Sequence, residues 1–131
     1  MRVGIDLASV EAVRESIRDH GDRYLRRIYT EAELGDCRRP AGAGGAELEH
    51  VDPERLAARF AAKEATIKVL RPTEQEPVPW RDIEVVRHAS GWVELRLRGA
   101  AARLATDQGL GDFQLSLSHE RGLAAAVVIA D

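Results

Sequence analysis

Residues 59–70 read RFAAKEATIKVL, and they hold both lysines of a chain that otherwise writes every positive charge as arginine. The 19 Lys plus Arg include Lys63 and Lys68 as the only lysines. A lysine is a compact point charge that can steady a phosphate, where a guanidinium is wide and planar. Working outward, Asp52 followed by Pro53 is a helix start, with Asp as N-cap and Pro at the first helical position. Pro72 disfavours helix just before it, so the spacing predicts one long helix over 52–70. Placed every 100°, Leu56, Phe60, Ile67 and Leu70 make an apolar stripe. Glu64 lies beside that stripe, and Lys68 follows one turn further along the same flank. The neighbours there are Ala57 and Ala61, small enough to leave room for a ligand. Lys63 falls on the stripe itself, where a solvated charge is least expected.

Shorter elements surround this helix. Val3, Ile5 and Leu7 alternate with Gly4 and Asp6, which reads as a strand with Asp6 on the opposite face or near its end. Helical spacing follows from Val10 to Arg18, closed by Gly21, then a short helix around Tyr24–Ile28. Thr30 with Glu33 is a capping-box pattern for a third. The Gly/Ala-rich segment 39–50 reads as a mobile loop, and 71–80, with three prolines, as a second one. Residues 83–99 read as a hairpin turning at Ser90-Gly91, 100–108 as a helix ended by Gly109. FQLSLSH (113–119) and LAAAVVIA (123–130) close the chain as a second hairpin. The fold class is therefore α+β: residues 1–131 as a single small domain, an antiparallel sheet around one long central helix.

With 44% apolar and 31% charged residues, the chain is ordinary globular material. A net charge of -3 argues against nucleic acid as partner. Arg14, Arg18, Arg23, Arg26 and Arg27 cluster early, either as a solvated basic face or as a surface for an acidic partner. A single cysteine, Cys37, excludes an internal disulfide and fits a reducing compartment. Neither an export signal nor an 18-residue apolar run is present, so no membrane and a cytoplasmic location are expected.

Glu64 and Lys68 also read as an ordinary i,i+4 ion pair worth ~0.2–0.5 kcal/mol. Asp6 alone reads as a strand-end acid, and His119 as a satisfied structural histidine. Together, Asp6, Glu64, Lys68 and His119 are the parts of a magnesium-assisted pyrophosphate cleavage. Carboxylates anchor a hard cation that completes its shell with water and phosphate oxygens. A lysine offsets charge on the leaving phosphate, and a histidine contacts a distal phosphate.

These residues sit in motifs that resemble the holo-acyl-carrier-protein synthase family, the small 4′-phosphopantetheinyl transferases. The motifs are GIDL (4–7), GDRYLRRIYTEAEL (21–34), RFAAKEATIK (59–68) and LSLSHERGLAAAVVIA (115–130). The resemblance implies that family's fold and the Mg²⁺-dependent transfer of the phosphopantetheine arm from coenzyme A to a serine of an acyl carrier protein. Adenosine 3′,5′-bisphosphate is then released. It implies Asp6 and Glu64 as metal ligands, with Glu64 acting on the serine proton through a metal-bound water. Lys68 would steady the pyrophosphate, Lys63 and His119 would contact coenzyme A, and Arg14 and Arg18 would serve carrier docking. The family's assembly is a homotrimer with sites between subunits. Ser9 and Ala12 stand where the family has Glu and Arg, and 71–80 replaces a Gly-Thr-Gly turn. Those departures suggest the alternative of a catalytically silent carrier-protein-binding module.

Overall fold

A computed structural model describes residues 1–39 and 50–131; most of the loop expected over 39–50 lies outside the described residues. The chain runs β1 (Arg2–Ser9), α1 (Val10–His20), α2 (Asp22–Ile28), α3 (Glu31–Asp36) and α4 (Pro53–Leu70). A 3₁₀ turn at Trp80–Asp82 leads into β2 (Ile83–Arg87), β3 (Val93–Leu97), α5 (Gly99–Asp107), β4 (Gln114–Glu120) and β5 (Leu123–Ala130). The α+β architecture expected from the sequence is found, but its strands form two antiparallel sheets, ordered β1-β5-β4 and β2-β3. Among the described residues no helix is long and apolar enough to cross a membrane.

Local chemistry sets the helix ends. Asp52 caps α4 by accepting from Glu54 N at 2.9 Å, and Pro53 opens it. At the other end Arg71 takes a left-handed conformation, φ 52°, and returns its N–H to Ile67 O. Two carbonyls that a helix terminus leaves open are filled from elsewhere. Arg2 donates to Val69 O at 2.9 Å, and Gln108 donates to Leu70 O at 2.6 Å. The Thr30–Glu33 capping box of α3 forms as expected.

The buried face of α4 differs from the predicted stripe. Leu56 and Leu70 are buried, but Phe60 and Ile67 are only partly so, and the face against the three-stranded sheet is alanine: Ala57, Ala61 and Ala65 are all 0% exposed. The opposing sheet face is mostly small as well, with Gly4 and Ala8 from β1 and Ala124, Ala126 and Ala130 from β5 buried, and Val128 its larger member. A Cβ placed on Gly4 would lie 2.2 Å from Ala65 O. Ala57 and Ala61 therefore clear space for the sheet backbone, and no ligand slot opens beside them. Close approach of small surfaces lets backbone atoms fill the core that large side chains fill elsewhere. The alternate residues of β1 point away: Val3, Ile5 and Leu7 are 66%, 59% and 64% exposed.

Candidate active site

Asp6 is the one acid on the small-residue face of β1, between Gly4 and Ala8. It sits at the flank of α4, and its side chain is 18% exposed. Lys68, on the last turn of that helix, donates from Nζ to Asp6 Oδ1 at 3.2 Å and to Ile5 O at 2.7 Å. Glu64 stands one turn earlier and is partly buried. Burial raises its carboxyl above the usual range, Asp6 raises it further, and Lys68 opposes the shift. Residues 6, 64 and 68 are thus brought together as expected.

The two carboxylates suit a hard cation that takes one or two protein oxygens and fills its shell with water and phosphate. Among the described residues no cluster of three or more His, Cys, Asp or Glu offers a richer metal site.

His119 is not beside this trio. Register pairs Asp6 with Ala126 and Leu117, and Ala8 with Ala124 and His119. Two strand spacings, roughly 10 Å, plus one row separate His119 from Asp6. His119 Nδ1 lies 2.8 Å from Glu54 Oε1. It lines a cavity of about 420 Å³ together with Arg55, Arg59, Arg87 and Trp92. Arg59 is 4% exposed, and its Nε is buried without a hydrogen-bond partner. These arginines were missed in the sequence. Arg55 and Arg59 share a helix face, but Arg87 and Trp92 join them only through folding of the β2-β3 hairpin.

Lys63 corrects the expectation of a coenzyme A contact. It is 0% exposed, donating to Glu33 Oε1 at 2.8 Å, to Trp80 O at 3.2 Å and to Ile83 O. All three ammonium hydrogens are committed inside the protein, so none is left for a ligand. Glu33 also accepts from Thr30 N and Val85 N, each at 2.9 Å. The signal was present, since Lys63 fell on the apolar stripe, but its partner lies 30 residues away. Cys37 is buried, and burial pushes its thiol up to about 12, which leaves no thiolate nucleophile near neutral pH.

Residues 2–128 match the family model described as the 4′-phosphopantetheinyl transferase superfamily. The chain belongs to that superfamily. The holo-[acyl-carrier-protein] synthase of Koribacter versatilis (strain Ellin345) is 42% identical over 130 residues, 98% of this chain and 95% of the relative. The one from Solibacter usitatus (strain Ellin6076) is 38% identical over 128 residues, again 98% and 95%. Among solved structures, an ACPS–CoA complex from Chronobacterium ammoniagenes superposes with a TM-score of 0.75 at 29% identity, covering 98% of this chain and 95% of that one. The transferase superfamily thus accounts for the fold from β1 through most of β5.

Proposed function

We propose that this chain transfers the 4′-phosphopantetheine arm of coenzyme A to a serine hydroxyl of an acyl carrier protein. The observation that carries the reading is the convergence of Asp6, Glu64 and Lys68 from the N-terminal strand and the last two turns of α4. Serine oxygen forms a bond to the phosphorus nearer the pantetheine. The P–O bond to adenosine 3′,5′-bisphosphate breaks, and that nucleotide leaves with the electron pair. Glu64 accepts the serine proton. Lys68 balances charge on the bridging and leaving oxygens. Asp6 and Glu64 would hold a magnesium ion, which when bound supplies positive charge against the pyrophosphate.

The basic cavity of Arg55, Arg59, Arg87 and His119 is the proposed seat of the nucleotide phosphates, supported by the unpartnered Arg59 Nε. Arg14 and Arg18 are the proposed carrier contacts. Both are exposed on α1 and share Glu11, at 2.8 and 3.8 Å, so their positive charge is partly offset at rest. A homotrimer is supported by the outward β1 side chains, continued on β5 by Leu123, which is 51% exposed. An apolar face of that kind is ordinarily covered in solution. Residues 1–131 acting as one domain is supported by α4, which packs on both sheets. A cytoplasmic setting is supported by the free, buried Cys37.

The test is the intact mass of an apo carrier protein incubated with coenzyme A, Mg²⁺ and this protein. A gain of one phosphopantetheine arm is expected, and it should be lost in chelator and in folded Asp6→Ala protein. An unchanged carrier mass would favour the silent binding module.

A further inference from the structure

Lys68 lies on the same carboxylate that the cation needs. Its ammonium is bonded to Asp6 Oδ1 and to Ile5 O, which ties the last turn of α4 to the middle of β1. The two partners differ in freedom. Lys68 is 54% exposed and swings on a flexible stem, whereas Asp6 is 18% exposed and fixed on a strand whose same-face residues, Gly4 and Ala8, are buried. A doubly charged ion on Asp6 and Glu64 would sit within a few ångströms of the ammonium, in a partly desolvated place where like charges repel strongly. Both carboxylates would then be engaged by the ion, so Lys68 would have no local anion to itself.

We propose that Lys68 is a placeholder on Asp6, which an arriving divalent cation displaces, and that the freed ammonium then becomes the contact for the pyrophosphate. This rests on the metal reading above and adds an order to it. The cation seats first, and coenzyme A meets a lysine already released. Until then Lys68 balances the carboxylate charge and holds β1 against α4. A single side chain thereby links metal occupancy to phosphate recognition.

The lysine count makes the test direct. A chain grown with ¹³C-lysine gives two Cε signals, and the fully buried Lys63 is the internal reference. Mg²⁺ alone is titrated while relaxation of both signals is followed, and Mn²⁺ binding is counted by electron paramagnetic resonance on a parallel sample. The Lys68 Cε is expected to gain mobility with the same half-saturation as ion binding, while Lys63 stays unchanged. In Asp6→Asn, Lys68 should be mobile from the start and indifferent to Mg²⁺. Lys68→Met should bind Mg²⁺ about 2- to 5-fold more tightly, the size of an exposed ion pair. Saturable ion binding that leaves Lys68 immobile overturns the placeholder and leaves the metal site standing. So does Mg²⁺ affinity that is unchanged or weaker in Lys68→Met. No saturable ion binding at all overturns both.

Discussion

The two faces of the paired strands β1 and β5 are made largely from opposite residues. Toward α4 they present Gly4, Ala8, Ala124, Ala126, Ala130 and one larger residue, Val128; away from it they present Val3, Ile5, Leu7 and Leu123. Residue size alone would put the larger set inside. Burial instead follows how closely two backbones approach, and here a helix lies almost on the sheet. The small face is fixed by contact within the chain, whereas the large side chains of β1 are left exposed. The site belongs to the small face, because Asp6 reaches Lys68 only where strand and helix are this close.

Changes on the core side of α4 should be the most damaging. Lys63→Met removes the partner of a fully buried Glu33 carboxylate, a class of change that costs about 3–5 kcal/mol. Denaturant titration should show that loss; a midpoint near wild type would mean that water reaches Glu33 in the variant. Gly4→Ala comes next, since the new methyl meets a backbone oxygen that cannot turn aside. Overpacking of this kind costs about 1–3 kcal/mol, and the same assay should report it. A neutral result would show that α4 can lift off the sheet.

On the other face the sign of the comparison reverses. Ile5→Ser should leave chemical stability of the isolated chain within about 0.5 kcal/mol. It should weaken self-association by tenfold or more in sedimentation. Equal losses in both measurements would erase the distinction between the faces. The smallest expected effect is at the edge of the site. The Glu64 carboxyl is raised in the fold, so its ionisation weakens the fold as pH climbs from the unfolded carboxylate value through the raised folded one. Glu64→Gln should therefore raise the thermal midpoint slightly at pH 7 in chelator, and the gain should vanish as pH falls below about 4. A gain that persists in acid would point to packing and not charge.

Much of this was legible in the sequence because it is local. Asp52-Pro53 and Pro72 bound α4 to within a residue, Thr30 and Glu33 announced their capping box, and Ser90-Gly91 marked the hairpin. Alternation in β1 was visible too, but period two says only that there are two faces. Which one meets the helix depends on Gly4 lying against Ala65, a contact between residues far apart in the chain. The same limit separates the site residues. Glu64 and Lys68 share one helix, and Asp6 was joined to them by the chemistry of a metal and phosphate site and by motif resemblance. Lys63 shares that helix yet turns inward, because Glu33, Trp80 and Ile83 are assembled around it only by folding. Arg59 and Arg87 come together for the same reason.

The Glu33–Lys63 pair has a consequence for aggregation. Among the described residues strand β2 has a neighbour on one side only, β3, so its other edge carries backbone groups with no described strand to meet them. Val85 N–H on that edge is taken by Glu33, and the Ile83 carbonyl by Lys63. The ion pair thus stands where a third strand would, presenting an acceptor and a donor in the positions a ladder would supply. Open edges of this kind are templates for pairing with other chains. A chain that loses Lys63 therefore uncovers a sticky edge as well as a charge, and its damaged form should precipitate through strand-to-strand recruitment.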